Sequence, residues 1–124
     1  MGITAVQLFS LPVTDQDRAR DFYVDVLGFE LVADTEMGPS MRWVQVRPPG
    51  VATSVTLVTW SESMPAGSVR GTVLETDDLD AEVTRLGALG VAMDGDVREA
   101  PWGRFVTFAD PDGNGIVLQT TAGA

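Results

Sequence analysis

The side chains of this chain that could do chemistry are 18 carboxylates, eight basic residues, one tyrosine and the hydroxyl groups. All eight basic residues are arginines, because the sequence contains no lysine and no histidine, and it contains no cysteine either. These missing side chains exclude thiolate nucleophiles, disulfides, Ser–His–Asp triads, metal sites built from His or Cys, and lysine Schiff bases. Any catalysis would therefore depend on carboxylates, Tyr23, hydroxyls, arginines, backbone amides or a bound cofactor.

The net charge of the chain is −10, which argues against partners that are themselves polyanions. Nucleic acids and anionic membrane surfaces bind proteins mainly through basic side chains, so we expect neither as a partner. A cationic small molecule would suit this charge better. No apolar run is long enough to span a bilayer and the N-terminus does not resemble a signal peptide, so we expect a cytoplasmic protein.

The 124 residues correspond to a single domain built from two similar halves. Turn, cap and aromatic positions match at an offset of 62 residues, the difference between Thr14 and Thr76. The matching positions are Thr14-Asp15 with Thr76-Asp77, Ala19 with Ala81, Leu27-Gly28 with Leu89-Gly90, and Arg42-Trp43-Val44 with Arg104-Phe105-Val106. Chance is the alternative explanation, but agreement of several classes of position at one offset favours two modules. They span about residues 1–60 and 68–124, with a polar linker at 61–67.

Each module has the pattern of a strand, a helix and three further strands. Apolar residues at helical spacing predict an amphipathic helix over 15–27, with a cap at Thr14 or Asp15 and an end at Gly28. The predicted strands are 5–13, 29–35, 41–47 and 53–60, then 69–76, 91–98, 105–109 and 116–120, and the second helix is 78–89. We expect an α+β fold in which two tandem βαβββ modules form a curved, cup-like mixed sheet with the helices on its outer face. A concave surface of this kind suits a small ligand.

Two groups of motifs resemble a known family. The first runs from Leu11-Pro-Val-Thr-Asp15 through Ala19-Arg-Asp-Phe-Tyr23 to Leu27-Gly28-Phe29-Glu30-Leu31, and the second comprises Pro101-Trp102-Gly103-Arg104 and Phe108-Ala-Asp110-Pro111-Asp112-Gly113-Asn114. Together they resemble the vicinal oxygen chelate superfamily, which includes glyoxalase I, extradiol dioxygenases, fosfomycin-modifying enzymes and bleomycin-resistance proteins. The resemblance covers nearly the whole chain and implies the paired βαβββ fold and a homodimer. It does not specify one activity, because this fold hosts many chemistries.

The resemblance also implies where a metal would bind. Members place metal ligands on the first and last strands of each module, at positions that correspond to Leu8, Thr56, Gly71 and Val117. None of these side chains is a good ligand for a divalent metal, and a shift by one residue would offer only Gln7 and Arg70. We therefore expect no metal and no cofactor, as in the metal-free, bleomycin-resistance-like branch of the superfamily.

The segment from Asp110 to Gly115 matches the start of an EF-hand calcium loop. Such a loop needs a bidentate glutamate at its twelfth position, which is Thr121 in this chain. We interpret the segment as a hairpin turn, because Asp, Gly and Asn accept turn conformations.

Strand alternation predicts which side chains face the cup. The expected ligand-binding residues are Ser10, Trp43, Thr56, Val58, Trp60, Glu75, Trp102, Phe105 and Gln119. Trp43 and Phe105 could instead fill the core between sheet and helix, and the sequence does not decide their face. Glu75 is the candidate catalytic carboxylate, the alternative being a solvated residue at a strand end.

Three other side chains have expected structural roles. Arg42 and Arg104 recur symmetrically, and we expect them to pair with turn carboxylates rather than to bind an anion. Tyr23 lies on the first helix, where we expect it to pack against the sheet.

Three functions remain open from the sequence. The favoured one is a protein that binds and sequesters a small molecule, such as a cationic or aromatic antibiotic, without changing it. The second is a metal-independent isomerase, cyclase or lyase, in which an apolar cup raises the pKa of Glu75 so that it acts as a general acid or base. The third is a partner-binding role in which another chain covers the free sheet face, and this is compatible with a homodimer. Whether any reaction is catalysed stays open.

Overall fold

The strands of the chain form two four-stranded sheets, one in each half. The first sheet has the order β1-β4-β3-β2 and consists of β1 (Leu8–Pro12), β2 (Glu30–Gly38), β3 (Met41–Arg47) and β4 (Ser54–Val58). The second has the order β5-β8-β7-β6 and consists of β5 (Thr72–Glu75), β6 (Arg98–Ala100), β7 (Gly103–Ala109) and β8 (Gly115–Thr121). The pairs β1–β4 and β5–β8 are parallel and the other neighbours are antiparallel.

The predicted α+β fold of two βαβββ units is confirmed, with the mixed sheet present as two sheets. The computed structural model describes residues 2–60 and 62–122. Met1, Ser61, Gly123 and Ala124, which the predicted modules and linker include, lie outside the described residues.

The first helical region changes its winding part-way along. Helix α1 (Gln16–Asp21) begins at the Asp15 cap, whose carboxylate accepts a hydrogen bond from the Arg18 backbone nitrogen at 3.1 Å. A π-helical segment (Phe22–Val26) follows, so the predicted single helix over 15–27 is present as two kinds of turn. Helix α2 (Leu79–Ala88) belongs to the second module.

The prediction of a strand over 91–98 is wrong. Gly95 has a φ of 94°, a left-handed conformation that interrupts an extended chain, and it lies between two aspartates that favour turns. Only the three residues of β6 pair with β7 in this region. In contrast, β3 has the predicted bounds, and the predicted strand 5–13 is shortened to β1.

One apolar core joins the two modules. It includes Leu11, Val44, Val46 and Leu57 from the first sheet, Val106, Phe108, Ile116 and Leu118 from the second, and Ala19 and Leu86 from the helices. Full burial of an aliphatic side chain of this size contributes roughly 1.5–3 kcal/mol relative to exposure. Since the helix-facing sides of both sheets belong to this core, the opposite face of each sheet is turned to the outside of the chain.

A buried polar cluster also holds the modules together, and we call its three side chains, Tyr23, Asp110 and Asn114, the inter-module latch. The Tyr23 hydroxyl donates to Asp110 Oδ2 at 2.9 Å, and Asn114 Nδ2 donates to the same oxygen and to the Pro12 carbonyl, each at 2.9 Å. Burial, with the Asp110 charge adding to it, raises the pKa of Tyr23 far above its usual range. The phenol therefore stays protonated and acts as a permanent hydrogen-bond donor. Its position in the core agrees with the expectation that it packs against the sheet.

Replacing Tyr23 by phenylalanine should destabilise the protein by about 1–3 kcal/mol, because a buried carboxylate oxygen loses a donor that water cannot replace. Urea denaturation followed by circular dichroism measures this change. Glu30→Gln, which removes one partner of the exposed Glu30–Arg47 pair, is the control and should cost less than about 1 kcal/mol. Equal stability of the Tyr23 variant and the wild type would contradict a structural role for the latch.

A network of ion pairs ties β2, β3 and α1 together. Arg42 binds Asp34 through two hydrogen bonds of 2.8 Å, and Arg20 adds a third of 2.8 Å to the same carboxylate. The pKa of Asp34 is lowered to about 2, and the hydrogen bonds from Arg42 are the largest cause. Carboxylate pairing by Arg42, and by Arg104 with Asp80, agrees with the expectation, although these carboxylates lie on a strand and a helix and not on turns.

The Asp34 network should make part of the stability depend on acid pH. The folded pKa of about 2 lies below the usual 3.8, so the contribution is complete above about pH 5 and is lost as the pH falls towards 2. Asp34→Asn should lower the free energy of unfolding by about 1 kcal/mol at pH 7 and by much less near pH 2. Urea titrations at several pH values test this. Asp25→Asn, at an exposed residue, serves as control, and a pH-independent difference for Asp34→Asn would refute the assignment.

Candidate ligand-binding site

The outward face of the first sheet carries a stacked pair of tryptophans. The rings of Trp43 and Trp60 are 6.5 Å apart between centroids, with an interplanar angle of 22°. Trp43 lies two residues before Gln45, which pairs with Thr56 in the β3–β4 register, so these side chains share a face. The indole nitrogen of Trp43 donates to Gln45 Oε1 at 2.9 Å. Trp43 is therefore half-buried on the outward face and is not a core residue.

Polar side chains lie on the same face as this pair. Ser10 and Thr56 share a hydrogen bond of 2.8 Å, and Gln45 Nε2 donates to Ser54 Oγ at 2.7 Å. Thr56 and Val58 are only 1% and 3% exposed, so they lie beneath the exposed residues of this face. Ser10, Trp43 and Trp60 keep exposed atoms. Gln45 was not among the predicted site residues, although its position two residues after Trp43 was the signal that could have identified it.

The outward face of the second sheet carries a similar aromatic pair. Trp102 and Phe105 are 5.9 Å apart between ring centroids, with an interplanar angle of 21°. Phe105 pairs with Gln119 in the β7–β8 register, and Gln119 pairs with Glu75, so all three side chains share a face. Trp102 is 55% exposed. Phe105, like Trp43, lies outside the core.

The expectation that an apolar cup raises the pKa of Glu75 is wrong. The Thr121 backbone nitrogen donates to Glu75 Oε2 at 2.8 Å, and the Thr121 hydroxyl donates to Oε1 at 2.8 Å. These bonds, with a weaker one from Gln119, lower the pKa of Glu75. Desolvation opposes this shift but does not reverse it, because the side chain is exposed. An ionised, hydrogen-bonded carboxylate is a poor general acid near neutral pH.

Carbon-13 NMR titration of the Glu75 carboxyl should report a pKa below the usual value of 4.5. Thr121→Val removes one of the two donors of Thr121 and should raise that pKa partway towards the usual value, because the backbone donor remains. Thr35→Val, at an exposed threonine of the other sheet, is the matched control and should leave it unchanged. A measured pKa above 4.5 would revive the general-acid interpretation.

Several clefts lie away from the two aromatic faces. Five of them, over residues 2–60 and 62–122, have linings that do not include Trp43, Trp60, Trp102 or Phe105. A mainly apolar cleft of about 510 Å³ lies between β1 and the β5 region, with Phe9, Phe29 and Val73 in its wall. A cleft of about 730 Å³ on the second module includes Arg70, Thr107 and Val117.

The match to a family model decides the family. Residues 5–118 match the model described as Glyoxalase/Bleomycin resistance protein/Dioxygenase superfamily. The chain belongs to this superfamily. The resemblance inferred from the sequence motifs is thereby confirmed, and the superfamily fold explains why two similar modules occur in one chain.

Three solved structures illustrate the similarity within the glyoxalase/bleomycin resistance superfamily. TnmS3, an antibiotic binding protein from Streptomyces sp. CB03234, is 52% identical with a TM-score of 0.92, and the alignment covers 98% of this chain and 99% of TnmS3. A glyoxalase/bleomycin resistance protein from Streptomyces sp. CB03234 is 54% identical with a TM-score of 0.81, covering 90% and 96% of the two chains. A superfamily member from Sphaerobacter thermophilus DSM 20745 is 39% identical with a TM-score of 0.90, covering 97% and 99%.

The metal that the superfamily implies does not fit the side chains at the corresponding positions. Leu8, Gly71 and Val117 offer no ligand atom in their side chains, and Thr56 is only 1% exposed, with its hydroxyl bonded to Ser10. Within the described part of the chain, no group of three or more His, Cys, Asp or Glu side chains could hold a metal ion.

No described helix is long and apolar enough to cross a membrane.

Proposed function

We propose that this protein binds and sequesters a small aromatic compound, of the antibiotic class, without transforming it. The observation that carries this proposal is the pair of aromatic platforms, Trp43–Trp60 and Trp102–Phe105, on the outward faces of the two sheets. Within each pair the rings lie nearly parallel, which leaves broad flat faces for a planar ligand. Each added ring–ring contact contributes about 0.5–1.5 kcal/mol beyond its buried area.

A similar protein of known structure supports the same function. TnmS3, at 52% identity over almost the full length of both chains, is described as an antibiotic binding protein. The negative charge of −10 favours the approach of a cationic or neutral compound, so a cationic group on the ligand stays a prediction of the sequence.

We propose further that the site is completed by a second copy of the chain. The two aromatic platforms belong to different sheets, and none of the clefts described above is lined by either platform, which supports a site shared between two copies. β1 ends the first sheet and β5 ends the second, and unpaired edges of this kind favour association. A homodimer that sets the first sheet of one copy beside the second sheet of the other would form the expected cup from eight strands.

A metal-independent enzyme is the alternative function. It would need a carboxylate with a raised pKa on the ligand-binding face, and Glu75 has a lowered pKa there. The proposal of binding without reaction therefore has the stronger support.

Titration with planar aromatic probes tests the proposed function. Intrinsic tryptophan fluorescence should be quenched by 9-aminoacridine and by anthraquinone-2-carboxamide. Trp43→Ala and Trp102→Ala should each weaken the binding by about tenfold or more, because each removes part of a platform. Leu89→Ala, an exposed apolar residue at the end of α2, is the control. Unchanged fluorescence with both probes would contradict the proposal, and mass spectrometry that finds a converted ligand would favour the enzyme.

Sedimentation analysis tests whether a second copy of the chain completes the site. The purified protein should sediment as a dimer at micromolar concentration, with or without a bound probe. Binding at full affinity by a monomer would refute the composite site while leaving aromatic binding intact.

A further inference from the structure

Arg70 differs from most other arginines of the chain. Six of the eight, namely Arg18, Arg20, Arg42, Arg47, Arg85 and Arg104, form ion pairs with carboxylates. Among residues 2–60 and 62–122, Arg70 and Arg98 have no carboxylate within 4.0 Å. The guanidinium of Arg70 donates instead from Nη1 to the Gly113 carbonyl, a neutral partner. Its charge is therefore not neutralised by a local acid, in a protein of net charge −10.

The side chain of Arg70 packs closely against a glycine. A Cβ atom on Gly115, the first residue of β8, would lie 3.3 Å from Arg70 Cδ and 3.4 Å from Nη1. The absence of a side chain at Gly115 thus leaves the space in which Arg70 lies across the start of this strand. Gly113 and Gly115 both line the cleft of about 730 Å³, so the guanidinium lies at the wall of this cleft.

The cleft adjoins the second aromatic platform. Thr107 and Val117 line it and pair with each other in the β7–β8 register. Phe105 and Gln119 also pair with each other, and each lies two residues away along its strand. Two residues of a strand correspond to about 6.6 Å. A ligand stacked on Phe105 would therefore need only a short substituent to reach the cleft of Arg70.

We propose that Arg70 binds a carboxylate group carried by the aromatic ligand, a step that rests on the proposed function. An arginine has five N–H donors in a planar fork, and the structure engages Nη1 alone, at a backbone carbonyl. The free edge of the fork matches the two oxygens of a carboxylate. The net charge predicts a general preference for cations. At the Arg70 subsite, in contrast, an anionic group is bound.

The alternative is that Arg70 serves only to hold the turn at Gly113. Arg70→Lys separates the two roles, because lysine keeps the charge and can still donate to a carbonyl but cannot form a bidentate fork. A purely structural arginine would leave the choice between charged and neutral ligands unaffected in every folded variant.

Two probes of the same shape test the subsite. Anthracene-2-carboxylate should bind the wild type about tenfold more tightly than anthracene-2-carboxamide, as measured by calorimetry. Arg70→Gln should abolish this ratio by weakening the carboxylate alone, and Arg70→Lys should reduce it. Arg104→Gln removes the same charge on the helix-facing side of the second sheet and should leave the ratio unchanged. Equal affinities for the two probes in the wild type would refute the subsite and leave the proposed function standing.

A second measurement does not depend on aromatic stacking. Benzoate titrated into the wild type should shift the Arg70 Nε–H resonance and the Gly113 and Gly115 amide resonances in ¹H–¹⁵N spectra. Arg70→Gln should remove the shifts at the two glycines. Unshifted resonances up to millimolar benzoate would overturn the proposal whether or not the anthracene probes bind.

Discussion

The sharing of a single apolar core by two sheets is the constraint on which the rest of this structure depends. Leu57 and Leu118 come from the parallel-paired central strands of different modules, yet they belong to one buried cluster. Neither module could bury its helix-facing side as well alone, because a short βαβββ unit has too little surface to cover it. Once both inner faces are used in this way, both outer faces must meet solvent, a ligand or another chain. The aromatic platforms occupy those outer faces.

The inter-module latch marks a difference between the two modules, which lies in one of their turns. Asp110 and Asp112 in the turn of the second module reach the first, where Asp112 accepts hydrogen bonds from Thr14 and from Arg18. The corresponding turn of the first module is Pro48-Pro49-Gly50 and has no carboxylate. In its place a cleft of about 440 Å³ lies between this turn and the second module. One junction is therefore polar, and its counterpart is an open cleft whose lining is mainly apolar but includes Glu75, Thr76 and Glu82.

The proposed site would combine two kinds of interaction that differ in range. Stacking on tryptophan and phenylalanine depends on contact area and accepts many planar ligands. Binding by a guanidinium fork depends on the positions of two carboxylate oxygens. It therefore discriminates between ligands that carry a carboxylate and ligands that do not. Together they would let a protein without a reactive centre distinguish among aromatic compounds. The lowered pKa of Glu75 agrees with this view, since an ionised carboxylate that already has its donors adds fixed charge and no proton transfer.

Much of the fold could be predicted from the sequence, because it follows from local periodicity and from the repeat. The strand β3, the cap at Asp15 and the turn at Asp110 to Asn114 are local features, and each is set by side chains a few residues apart. The irregular segment around Gly95 was missed because the apolar residues on both sides of it suggested one continuous strand, although Asp94-Gly95-Asp96 is a sequence that favours turns.

The sequence by itself determined the family, the two modules and the absence of ordinary metal ligands at the positions where the superfamily places them. Tertiary structure alone decided the face of Trp43 and Phe105, the direction of the pKa shift of Glu75, and the freedom of Arg70 from a carboxylate. The physical reason is that these properties depend on strand register and on neighbours far away in the chain. Register turns every side chain of a strand to one face or the other, and no local pattern encodes it where both faces carry apolar residues.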